Sequence, residues 1–341
     1  MLRFSVLDQS IVPSGSTASQ AITNTIQLAK QAEVWGFHRF WVSEHHNSAM
    51  IAGSAPELLM VRLANETSNL RIGSGGIMLP NHSALKVAEN FRLLETMYPG
   101  RIDLGMGRAP GGDRLTAALL NPSNNFSEES YLQQLGYLQA FFHDEASSQY
   151  GPLLAVPQSA TIPEPWILSS SGGSAMIAAR FGMGLAVARF INGSAGPEIV
   201  ATYKKAFQPS REMESPQTLL AISVLCADTD EKARQLRKLA DYTILQFEKG
   251  NFKEMKSFED IKDYVFSDLE LEKIQFNEGR IVSGTPEQVR LQLISLAARM
   301  DVDEIMITTM THSQKDRIRS FELIAETFGL ADKTPTRVSV F

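Results

Sequence analysis

Between Arg3 and Gly107 the chain alternates short apolar runs with long amphipathic ones, and this alternation restricts the fold more than any other feature. The expected strands are Arg3–Leu7, Phe37–Val42, Leu70–Leu79 and Arg101–Met106. Between them, Thr17–Trp35, Ala55–Glu66 and His82–Met97 have helical spacing; in the first, Ala21, Ile22, Thr25, Leu28, Ala29 and Ala32 share one face. Ser16 or Thr17 can cap that helix and Gly36 ends it, Pro56 suits the first turn of the second, and Pro99–Gly100 breaks the third. Strands joined by helical crossovers run parallel, because the crossover returns the chain to the same end of the sheet.

The second half repeats the alternation less regularly. Strands are expected at Trp166–Ser169, Gly184–Ala188, Thr218–Ala227 and Glu304–Thr309, with helices at Ser127–Phe142, Gly172–Phe181, Pro197–Phe207, Thr229–Phe247, Thr285–Arg299 and Gln314–Phe328. Eight strands predict an α/β fold of the (β/α)8 TIM-barrel type, a single domain over 1–341. A bare barrel needs about 250 residues. The surplus falls in loops 107–125, 143–165 and 249–283, far longer than the usual connection of about 2–6 residues. A doubly wound sheet in two parts is the alternative; closure of the count at eight, with no shift of composition between halves, favours the barrel.

Composition excludes several functions. A net charge of −6 with both signs interspersed gives no nucleic-acid footprint. One cysteine, Cys226, excludes an intrachain disulfide framework and a Cys-rich metal site. No apolar run reaches membrane-spanning length and the first residues enter a strand pattern, so a soluble cytoplasmic protein is expected.

In a barrel, chemistry gathers where strands end. Strand two runs into Glu44, His45 and His46. Adjacent histidines on extended backbone point in opposite directions, which argues against a metal pair; structural and acid–base roles both stay open. Glu44 can orient a neighbour. His38 opens the strand and so belongs to the other end. Ser169, Ser170, Ser171, Gly172, Gly173 and Ser174 join strand five to a helix, either as a phosphate cradle or as a small-residue turn. Arg108 can clamp an anion or pair with Asp103 or Asp113. Gly73, Gly75 and Gly76 inside a strand suggest close approach by a flat ligand, with Met78 on its apolar wall. Paired carboxylates among Asp8, Glu44 and Asp103 are the competing chemistry.

Three stretches carry a family likeness: FWVSEHH (Phe40–His46), LRIGSGGIMLPNHSALKVAENFRLLETMYPGRIDLGMGRAPGG (Leu70–Gly112) and ILSSSGGSAMIAARFGMGLAVA (Ile167–Ala188). In them the chain resembles the luciferase-like flavin monooxygenases, the group that includes the bacterial luciferase α subunit, in its single-subunit branch. The resemblance implies a barrel that uses reduced FMN, supplied by a separate flavin reductase, and O2 to oxidise a small-molecule substrate through a C4a-(hydro)peroxyflavin, an aldehyde being one candidate. It implies catalytic roles centred on His45, with His46 and Glu44 beside it. It places a non-proline cis peptide at Gly75–Gly76, phosphate contacts at Arg108 and Ser169–Ser174, a lid at 249–283, and a homodimer. Luciferase carries a reactive cysteine where this chain has Gly107, so light emission is not implied. An F420-dependent oxidoreductase on the same scaffold and a non-catalytic flavin-binding barrel are the other readings.

Overall fold

The chain closes on itself through parallel strands only. A computed structural model describes residues 2–251 and 254–331. Its strands are β1 (Arg3–Asp8), β2 (Arg39–Val42), β3 (Arg71–Met78), β4 (Ile102–Gly107), β5 (Ser147–Ser148), β6 (Gly151–Pro152), β7 (Glu164–Ser169), β8 (Gly184–Ala188), β9 (Thr218–Cys226), β10 (Ile281–Gly284) and β11 (Glu304–Thr308). Strands β1, β2, β3, β4, β7, β8, β9 and β11 pair in that order, and β11 pairs back to β1, which makes a closed eight-stranded ring. This is the expected (β/α)8 barrel.

Helices α1 (Ala18–Val34), α2 (Pro56–Glu66), α3 (Ala84–Met97), α4 (Arg114–Leu120), α5 (Glu128–Phe142), α6 (Ala175–Phe181), α7 (Pro197–Ala206), α8 (Asp230–Glu248), α9 (Phe258–Ile261), α10 (Asp268–Asn277), α11 (Pro286–Met300) and α12 (Gln314–Phe328), with 3-10 turns at Leu79–Asn81 and Glu278–Arg280, complete the described elements. Their ends follow local chemistry. The Thr17 hydroxyl accepts the Gln20 amide and Gly36 takes a positive φ, so α1 starts and stops where its caps lie. Thr285 and Gln288 form a reciprocal capping box before Pro286.

Side chains alternate along each strand. Phe4, Val6, Phe40, Val42 and Ile72 face the helices in one apolar layer, while Leu7, Trp41, Trp166, Ala186, Leu219, Ala221 and Met306 fill the lumen. Trp41 and Trp166 meet edge to face with centroids 5.7 Å apart. A Cβ on Gly73 would lie 2.5 Å from the Trp41 indole, and one on Gly184 2.5 Å from Trp166. Those glycines make room for the two indoles.

The long excursions are more structured than their sequences suggest. Segment 107–125 holds α4, capped by Asp113, and 143–165 holds the antiparallel β5–β6 hairpin. Segment 249–283 carries α9, α10 and all but the last residue of β10; residues 252 and 253 lie outside the described residues. Strand β10, absent from the sequence expectation, extends the β9 edge from Ser223 to Cys226, beyond the span where β8 pairs. Four residues of mixed character inside a charged stretch give too short a pattern to recognise.

Candidate active site

Beyond β2 the backbone stays extended through Ser43, Glu44, His45 and His46, and strand parity sorts these side chains. Arg39, Trp41, Ser43 and His45 share one parity, Glu44 and His46 the other. The first set turns toward the barrel axis: Trp41, Ser43 and His45 line a cavity of about 460 Å³ at the C-terminal mouth. The second set bonds toward β3 and the segment before α3, although Glu44 also borders the cavity.

Glu44 is fully buried, and its carboxylate is a hub. Oε2 accepts the Met78 amide at 2.8 Å, Oε1 pairs with His46 Nε2 at 2.8 Å, and His82 Nε2 lies 3.0 Å from both oxygens. Asn81 Nδ2 adds a longer bond at 3.3 Å. Burial alone would raise the Glu44 pKa, but hydrogen bonds from His82, His46 and the Met78 amide hold it below the usual carboxylate range. Burial likewise works against a charged His82, and the Glu44 carboxylate outweighs it, so His82 is shifted up. Glu44 and His82 thus form an ion pair that fixes the end of β3 against β2. His46 belongs to this pair's surroundings and faces away from the cavity. Its amide bonds Gly111 O at 3.1 Å, which lashes the 107–125 excursion to the rim. His82 sits in the LPNH run that follows β3, and that run was the available sequence signal for it.

His45 has a different environment. Its Nδ1 lies 3.0 Å from the Ser43 hydroxyl, and burial pushes its pKa down, so the imidazole is neutral near pH 7. Around it the cavity wall is mainly apolar, with Leu7, Trp41, Leu168, Phe190 and Met306 among its residues. Polar groups collect at one edge: Arg108, Ser169, Ser170, Ser171 and Ser174 all line it. Arg108 is half-exposed and pairs with Glu128 at 2.7 Å, not with Asp103 or Asp113. Ser169 is buried and its hydroxyl accepts the Gly172 amide at 3.2 Å, while Asn192 Nδ2 holds Ser170 O at 2.8 Å. The serine segment is therefore a pinned turn whose remaining hydroxyls border the cavity. Helix α6 begins at Ala175, later than the expected Gly172, because Gly172 takes φ +86° and belongs to the turn. Gly172 and Gly173 do not line the cavity.

The glycines of β3 divide similarly. The Gly75–Gly76 peptide is cis. Gly75 and Met78 line the cavity. A Cβ on Gly76 would lie 2.6 Å from Gly105 O, so that glycine serves strand contact. Close packing against protein accounts for Gly73 and Gly76, where sequence reading looked to a flat ligand.

The carboxylate alternative is not assembled. Asp8 pairs with Arg317, and Asp103 lies at the opposite end of the barrel between Arg39 and Arg71. Among the described residues no group of three His, Cys, Asp or Glu could hold a metal, and no helix is long and apolar enough to cross a membrane. No described residue of 249–283 lines the cavity.

A family model described as luciferase-like monooxygenase matches residues 2–303. An uncharacterized protein, YwcH, of Bacillus subtilis (strain 168) is 44% identical over 332 residues, 96% of this chain and 100% of the relative. The N-acetyl-S-alkylcysteine monooxygenase of the same organism is 35% identical, covering 96% of this chain and 98% of its own length. The crystal structure of apo-MsnO8 superposes with a TM-score of 0.89 at 35% identity, covering 97% of this chain and 99% of that one.

Proposed function

The chain belongs to the luciferase-like monooxygenase family, and on that premise we propose that it uses reduced FMN and molecular oxygen to oxygenate a small, mainly apolar organic substrate at the barrel mouth. A separate flavin reductase supplies the reduced FMN, and the enzyme works as a cytoplasmic homodimer. The observation that carries the reading is the make-up of the cavity: a neutral imidazole, His45, with Ser43 beside it on a mainly apolar wall, and the Arg108 guanidinium and the hydroxyls of Ser169, Ser170, Ser171 and Ser174 beyond the ends of β4 and β7. A flat ring suits the apolar part and a phosphate suits the edge, where Arg108, Ser170, Ser171 and Ser174 would hold it. Its volume of about 460 Å³ is in the range of small-molecule sites.

When bound, reduced flavin supplies the electron pair that activates dioxygen. The chain's contribution is placement and shielding. Ser43 fixes the His45 ring through Nδ1, which leaves Nε2 as the group that holds or delivers a proton in the cavity. Leu7, Trp41, Leu168 and Phe190 keep water from the reacting centre. Glu128 keeps Arg108 extended at the edge until an anion competes for it. An F420-dependent oxidoreductase is the second reading, because a phosphate edge serves that cofactor as well.

Anaerobic titration with reduced FMN, riboflavin and F420 tests the assignment. FMN is expected to bind, and Arg108→Ala to weaken it about tenfold or more while leaving riboflavin unchanged, since a charge-assisted bond contributes about 1.5–3 kcal/mol. Equal losses for both flavins would remove Arg108 from the phosphate edge. Binding of F420 with none of FMN would replace the cofactor.

A further inference from the structure

A second cavity, of about 340 Å³, opens beside the first, outside the barrel wall, where the C-terminal ends of β1 and β11 meet the starts of α1 and α12. Leu7 and Gln9 border both spaces. The two cavities differ in character. The first is mainly apolar; the second is walled by polar groups, among them Asp8, Ser14, Asn24, Thr309, Gln314 and Arg317.

The hydrogen bonding of that wall selects its ligand. Asp8 is buried, paired with Arg317, and accepts the Ser10 amide at 2.6 Å, so both charges are internally satisfied. Arg317 donates to Gln314 Oε1 at 3.4 Å, which orients that carboxamide. Gln314 Nε2 is then buried with no acceptor among the described residues. Asn24 adds a more exposed donor: Gln20 Nε2 donates to its Oδ1 at 2.9 Å, and no described residue accepts from its Nδ2. Two carboxamides thus have their oxygens engaged and their N–H groups left to give. The first turns of α1 and α12, whose dipoles favour negative charge, border the same space through Gln20 and Gln314. A chamber of spare donors with internally cancelled charge calls for an acceptor oxygen.

We infer that this chamber receives the acceptor-bearing head, a carboxylate or a carboxamide, of an amphiphilic substrate whose apolar, reacting part lies in the first cavity. Gln9 borders both cavities. The inference rests on the oxygenase reading for which end reacts, but the head-group site can be read without any turnover.

The test is calorimetric binding to the full chain of three probes with equal apolar chains: hexanoate, hexanamide and pentyl methyl sulfide, which has no acceptor oxygen. One or both oxygen-bearing probes should bind about tenfold or more tighter than the sulfide, and which one does identifies the head as carboxylate or carboxamide. Gln314→Leu should abolish the preference while leaving FMN affinity unchanged. Gln314→Glu decides the matter if the leucine variant melts early: it should weaken hexanoate by repulsion and spare hexanamide. A sulfide that binds as tightly as the others, or a preference that survives both variants, would overturn the inference. Absence of FMN binding with the head-group preference intact would overturn the oxygenase reading and leave the chamber standing.

Discussion

The two ends of the barrel handle buried charge in opposite ways. At the N-terminal floor, Arg39 is buried and donates to Asp103 at 2.8 Å and to Glu304 at 2.8 Å. Arg71 covers the other Asp103 oxygen, Trp41 Nε1 donates to Asp103 at 2.8 Å, and the Arg39 guanidinium lies 4.8 Å from the Trp166 ring centroid. At the mouth, Asp8 keeps a guanidinium, Arg317, but the buried carboxylate Glu44 beside the cavity has histidines for partners. Guanidinium groups hold their charge at every pH a protein tolerates, whereas imidazoles exchange protons near neutrality. The floor is a permanent plug under the tryptophans, and the mouth is a polar frame that responds to protons. In this fold the floor serves stability and the mouth serves chemistry.

The sharpest way to break that contrast is Arg39→Met. It leaves Asp103 to Arg71 and Glu304 to the more distant Arg3, at 3.5 Å, and should cost about 3–5 kcal/mol in denaturant unfolding, because two buried carboxylates lose the guanidinium they share. A loss under about 1 kcal/mol would mean that the floor is not what holds the barrel.

His38, also at the floor, tests the acid side. Burial, and then the Arg39 charge, hold its pKa down to about 4 from an ordinary 6.5. Between these values the unfolded chain takes up a proton that the folded chain refuses, so stability falls as pH drops through that window. His38→Gln should remove roughly 2–3 kcal/mol of this decline, measured as unfolding free energy against pH. An unchanged slope would place the acid lability elsewhere.

At the mouth, Glu44→Gln should cost about 1–3 kcal/mol, with a pH signature that extends to the alkaline side. The lowered Glu44 pKa contributes stability above the ordinary carboxylate range, which is lost as pH falls through the lowered value. The raised His82 pKa contributes below the ordinary imidazole value, and this is lost as pH rises through the raised one. The difference between wild type and Glu44→Gln should therefore be larger at about pH 6 than at about pH 9. A constant difference would show that His82 carries no charge beside Glu44.

The smallest stability effect belongs to His45→Gln, less than about 1 kcal/mol, because among the described residues the ring bonds only to Ser43. Its consequence should appear instead as more hydrogen peroxide released per flavin oxidised. An unchanged peroxide yield would remove His45 from the oxygen chemistry.

Much of this was legible before any coordinates. Strand and helix periods are local properties of backbone geometry, so the eight barrel strands and the caps of the first helix could be read directly, as could the opposed directions of His45 and His46. The same parity, extended back along β2, would have placed Trp41 and Ser43 on the cavity. Identity of partners was not legible. Glu44 meets His82 from 38 positions away, Arg39 reaches Glu304 across 265, and Arg108 chooses Glu128 over the nearer aspartates. The β3 glycines could be recognised as demanding space, but not that Trp41 and the β4 backbone take it. Strand β10 is too short to announce itself. Sequence alone thus determined which residues stand at the ends of strands, because alternation is set residue by residue. Only tertiary structure decided which charges cancel and which donors are left over, because those pairings exist only once the ring has closed and brought distant strands within hydrogen-bond reach.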